Sequence, residues 1–129
     1  MFLLTMAAAS AELDGLSQSV AQCNRAALNP VFSAEPDRRS QFMIDAYREQ
    51  EQIVADRLAL SDQRRLLREA ATPTPAAEKK KLDLTDAAID DRQRALNDKR
   101  LLESMRQDTI DALRRTYLSH CLAEEERRK

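Results

Sequence analysis

Three residues in this chain could do chemistry that its many carboxylates and guanidinium groups cannot: Cys23, His120 and Cys121. Together they are candidate ligands for a transition metal or parts of an activated thiol nucleophile, and the two cysteines are candidates for a disulfide. The metal reading lacks a fourth ligand and any C-x-x-C pair. His120 and Cys121 are also adjacent, and adjacent side chains diverge by about 100° on a helix. The same divergence separates the histidine from the thiol it would have to activate. A disulfide asks only that the chain bring its two ends together, and an even cysteine count with one near each end suits that arrangement in an oxidising compartment. The expectation is therefore a Cys23–Cys121 disulfide, with no catalytic residue, no cofactor and no metal. The competing reading is two reduced cysteines packed as small hydrophobes.

The rest of the composition narrows the function classes further. Of 129 residues, one is glycine (Gly15) and one is histidine. One glycine cannot build a dinucleotide or phosphate loop, and one histidine cannot supply HExxH. An all-β fold needs more turn glycines and β-branched residues. Charged residues make up 33%, hydrophobic ones 43% and aromatics only 4%, with a net charge of -1. Acidic and basic residues alternate in equal numbers along each long segment, as on solvated helices, and no basic face points to a nucleic acid.

The elements that must position the cysteines are helices. Leu13, Leu16, Val20, Cys23 and Ala27 step by three and four, which predicts a first helix over about 12–29 that Asn29-Pro30 ends. A connector over 30–35 leads to Pro36, suited to the first position of a second helix over about 36–71. Within it Ala46, Ile53, Leu60 and Leu67 recur every seven residues. Gln50, Arg57 and Arg64 hold the complementary heptad position, so the seam is narrow. The two prolines of Thr72-Pro73-Thr74-Pro75 break the helix, and 72–82, with Lys79 to Lys81, reads as a solvated loop tip. Asp83 or Thr85 then caps a third helix over about 83–126, where Leu113, Tyr117 and Cys121 share a face. Within this helix the spacings of Asp90 to Arg94 and Asp111 to Arg115 suit intrahelical ion pairs. The charged tail Glu124 to Lys129 reads as solvated.

These elements predict an all-α fold: a long antiparallel helical hairpin with a shorter N-terminal helix packed at its base, as one helical domain over 12–129. Folding the hairpin about residue 77 leaves Cys121 near residue 33, where the first helix can bring Cys23. The three-helix base, with Leu16, Val20, Phe32, Phe42, Leu113 and Tyr117, is expected to be the stable core. Leu113 is placed deeper than Leu60.

Residues 1–11, Met1-Phe-Leu-Leu-Thr-Met-Ala-Ala-Ala-Ser-Ala11, read as a truncated signal peptide: an apolar run ending in Ala9-Ser10-Ala11 without a basic start. No stretch of about 20 apolar residues follows, so no transmembrane helix is expected in the mature chain. The function these features imply is that of an exported, periplasmic or secreted, non-enzymatic helical hairpin. It would work through a protein partner or homo-oligomer, in a structural or chaperone-like role. The alternative is a cytoplasmic coiled-coil adaptor or self-assembling module with reduced cysteines.

Overall fold

The computed structural model describes residues 2–123 and Arg127, with side chains from residue 10 onward. The fold is all-α, as the periodicities predict. Helix α1 spans Phe2–Ala21, α2 spans Arg25–Glu69 and α3 spans Ala76–Thr116, continued by a π-helical turn over Tyr117–Cys121. No described helix is long and apolar enough to cross a membrane. The proposed leader over 1–11 falls on α1, which is helical from Phe2. Met1 and the side chains of 2–9 lie outside the description, as does most of the tail over 124–129.

The helix boundaries differ from those expected, and each shift has a local cause. The first helix stops at Ala21, eight residues before Asn29. Cys23 takes the left-handed conformation (φ 51°), the Cys23 amide donates to the Val20 carbonyl at 3.0 Å, and the Asn24 amide donates to that of Ser19 at 2.9 Å. That is a Schellman C-cap with a cysteine where glycine is usual, so no glycine marks the stop. Asn24 then caps the next helix, its Oδ1 accepting from the Ala27 amide at 3.2 Å. Helix α2 runs straight through Pro30 and Pro36, and the predicted connector over 30–35 is helical. Each proline removes one backbone donor. The residues around them, Leu28, Val31, Phe32 and Glu35, are held by burial or packing, and tertiary contact overrides the local preference.

The break at the other end is short. Residues 70–75 connect the helices, and α3 begins at Ala76. The Pro75 carbonyl accepts from the amides of Glu78 and Lys79, both at 3.1 Å, and Glu78 in the first turn suits the helix dipole. Lys79 to Lys81 are therefore helical instead of forming a loop over 72–82. Neither Asp83 nor Thr85 is a cap, and Thr85 Oγ1 instead donates to the Lys81 carbonyl within the helix.

The chain divides into two compact units, one from residues 1–40 and 102–129, the other from 41–101. In the second unit the two long helices form an antiparallel hairpin around Ile53, Leu60, Leu82, Ile89 and Leu96, with Ala46 and Leu67 packed against them. The expected line 46, 53, 60, 67 is thus the core line. Its counterpart, 82, 89, 96, has the same seven-residue step. The polar heptad positions are satisfied across the seam. Gln50 and Gln93 exchange hydrogen bonds at 2.8 and 3.1 Å, Arg57 meets Asp90 at 2.9 Å, and Arg64 meets Asp83 and Asp86. The pair Asp90–Arg94 is replaced by these cross-helix contacts, and Arg94 meets Asp91 instead.

In the first unit all three helices contribute. Leu16, Val20, Leu28, Ile110, Tyr117 and Cys121 are buried together, with Phe32 and Leu113 partly buried against them. Leu28 and Ile110 are nearly inaccessible, at 0% and 1% exposure. The order expected for Leu113 and Leu60 is reversed: Leu60 is buried and Leu113 only half-buried. Phe42 belongs to the second unit, outside this core.

Candidate functional site

Cys23 and Cys121, the two predicted site residues, come together in the first unit. Their sulfurs stand 2.07 Å apart, at disulfide distance, with Cα atoms 5.5 Å apart. The left-handed turn at Cys23 points its side chain toward the end of α3. The π-helical turn over 117–121 admits an extra residue per turn and turns Cys121 inward beside Tyr117. Phe32 lies against the Tyr117 ring, centroids 5.9 Å apart. Cys121 is buried and Cys23 half-buried. His120 is exposed beside them, so the helical divergence expected between positions 120 and 121 is observed. Among the described residues no group of three His, Cys, Asp or Glu side chains could hold a metal ion.

A second constellation was not anticipated. Glu35, Glu103 and Arg106 are each about 6% exposed, buried polar residues within the first unit. Arg106 Nη1 and Nη2 donate to the two oxygens of Glu35 at 2.8 and 3.0 Å, and Nη2 also reaches Glu12 of α1 at 3.2 Å. Glu35 accepts in addition from Arg39 Nε at 2.8 Å. Arg38 grips Glu103 with both Nη atoms at 2.7 and 3.2 Å, and Arg39 extends the network to Asp111 at 2.8 Å. Asp111 thus pairs across helices, where Arg115 was expected. The Nε of Arg106 is buried without a partner. Burial pushes the Glu35 carboxyl up, but hydrogen bonds and charge from Arg106 and Arg39 outweigh it and hold Glu35 below its ordinary value. The hydrogen bond from Arg39 likewise lowers Asp111.

The signal for this cluster lies in the heptads. Ile110 and Tyr117 continue the seven-residue line of 82, 89 and 96, and position 103 on that line is glutamate. Arg106 takes the position that Leu113 holds one heptad later. A carboxylate on an otherwise apolar line must be buried, and a buried charge must be paired, as Glu103 is with Arg38. Every carboxylate of the cluster faces an arginine. That matches a structural ion network and supplies no group poised for acid–base work.

The third feature is an exposed apolar stripe in the second unit. Met43, Tyr47, Val54 and Leu58 lie on α2, with Met43 at 72% and Tyr47 at 64% exposure. They sit beside the core line of Ala46, Ile53 and Leu60. Phe42, Met43, Ile44, Ala46 and Tyr47 line a shallow depression with Arg48, Glu51 and Arg100. Comparison with protein-family models, with curated proteins and with solved structures finds no match to this chain.

Proposed function

We propose that this chain is an exported, non-enzymatic helical protein that works through protein–protein contacts, in a structural or chaperone-like role. The observation that carries the reading is the apolar stripe on α2, four large side chains facing solvent along one helical face. Scattered exposed hydrophobics need no explanation, but large apolar side chains recurring along one helical face suit a surface that binds another helix. The cysteine pair at disulfide distance supports the exported location, since such bonds persist in oxidising compartments.

A photo-crosslinking amino acid placed at position 47 or 58 in the native host tests the contact. The expected result is a discrete protein adduct that Val54→Lys abolishes, and no adduct from either position would overturn it. Intact mass with and without reductant before alkylation tests the compartment. Thiols that alkylate without reductant would favour the cytoplasmic adaptor.

A further inference from the structure

The α2 stripe has an internal symmetry. The four residues that share its central face, Met43, Tyr47, Val54 and Leu58, are separated by four, seven and four residues, while Ile44 and Leu66, also exposed on α2, lie to one side of that face. That spacing reads the same from either end. A two-fold axis passing between Gln50 and Glu51 would exchange position 43 with 58 and 47 with 54, laying the stripe on itself.

The charges beside the stripe behave in the same way. Along this stretch of α2, Glu49, Asp56, Arg57, Asp62, Arg64 and Arg65 all hold ion pairs within the chain. Arg48 and Glu51, both exposed and both at the apolar depression, hold no side-chain hydrogen bond or ion pair among the described residues. In an antiparallel pairing about that axis, Arg48 of each copy lies about two residues of rise, some 3 Å along the axis, from the level of the partner's Glu51. The two opposite charges meet reciprocally, as an isologous interface requires.

We propose that a second copy of this chain covers the stripe, antiparallel and two-fold related. Tyr47 then packs level with the partner's Val54, Met43 with the partner's Leu58, and Arg48 pairs with the partner's Glu51 at both ends. The inference rests on the reading of the chain as a contact protein and names its partner. A net charge of -1 puts little self-repulsion in the way.

Sedimentation equilibrium of the full oxidised chain over a concentration series tests it, with circular dichroism confirming that each variant folds. The expected species is about twice the 14.7 kDa chain mass. Val54→Lys, at an exposed position, should weaken association at least tenfold. Arg48→Glu and Glu51→Arg should each weaken it by placing like charges face to face, and combining them should restore it. A folded chain that stays monomeric at every concentration overturns the proposal. So does a dimer indifferent to Val54→Lys, or a charge-swapped double variant no tighter than the single ones. Crosslinks to a different protein from position 47, with a monomeric purified chain, would overturn the second copy as occupant and leave the contact reading standing.

Discussion

Glu35 and Arg106 lie 71 residues apart in sequence and meet face to face, both oxygens of the carboxylate taking both Nη atoms of the guanidinium at 2.8 and 3.0 Å. Neither side chain is more than 8% exposed. Such a pair adds little net stability over an apolar pair of the same shape, because desolvation offsets most of the attraction. Breaking it is another matter.

Arg106→Leu alone should destabilise the chain by up to about 3–5 kcal/mol, since it takes both Nη donors from the buried Glu35 carboxylate and leaves Arg39 as its ion-pair partner. The double variant Glu35→Leu with Arg106→Leu should cost clearly less than the sum of the two single changes. Glu103 keeps its bidentate contact with Arg38 in either case. Urea unfolding of the four species closes the cycle, and additive losses would mean that the pair is not coupled.

Acid should act through the same residues. The folded state holds Glu35 and Asp111 below their ordinary values, so their contribution is complete at neutral pH. It is lost as pH falls below the ordinary carboxylate range, where the unfolded chain takes up protons first. Glu35→Gln mimics the protonated acid, so its melting temperature should lie below the parent's at pH 7. The gap should narrow steadily on acidification. A gap of constant size down to the acid limb would assign the acid sensitivity to other carboxylates.

The cysteine pair gives a prediction with an internal control. A link across a sequence separation of 98 removes up to about 4–5 kcal/mol of unfolded-state freedom in the chain-entropy model. Cys23→Ser should therefore lower the melting temperature of the oxidised protein and change little once reductant is present. Under reductant, Cys23→Gly should be more stable than Cys23→Ser by about 1 kcal/mol, because position 23 is left-handed and only glycine adopts that conformation without strain.

Core truncations should rank by burial. Leu28→Ala and Ile110→Ala remove nearly inaccessible side chains and should each cost about 2–5 kcal/mol. Leu60→Ala should exceed Leu113→Ala, since Leu60 is buried and Leu113 half-buried. The opposite order in thermal melts would show that Leu113 is packed more tightly than its exposure implies.

Much of this arrangement is legible in the residues. The seven-residue step from Ala46 to Leu67 marks the hairpin seam, and two cysteines near opposite ends imply the juxtaposition that the structure shows. What misleads is local chemistry overruled by packing. Pro30 and Pro36 read as punctuation, yet buried Leu28 just before the first and buried Glu35 just before the second hold α2 helical through both. The true stop, at Cys23, carries no glycine because the residue is a cysteine with another task. The ion cluster escapes notice because arginine and glutamate are so abundant here that Glu103 and Arg106 look like surface. Only its place on the apolar heptad line distinguishes Glu103, and Arg106, which shares its own line with Thr85, Arg92 and Lys99, carries no such mark.

A heptad seam has no built-in way of counting. Slide one helix past another by seven residues and apolar side chains still face apolar side chains, so alternative alignments differ little in buried hydrocarbon. In the first unit such a slip would set Leu113 where Arg106 belongs and leave the Glu35 carboxylate facing a methyl group. The buried pair thus works as an index mark on a repeating scale. It rejects frame errors that greasy contacts alone would tolerate, and it does so at the end of the chain where three helices have to agree.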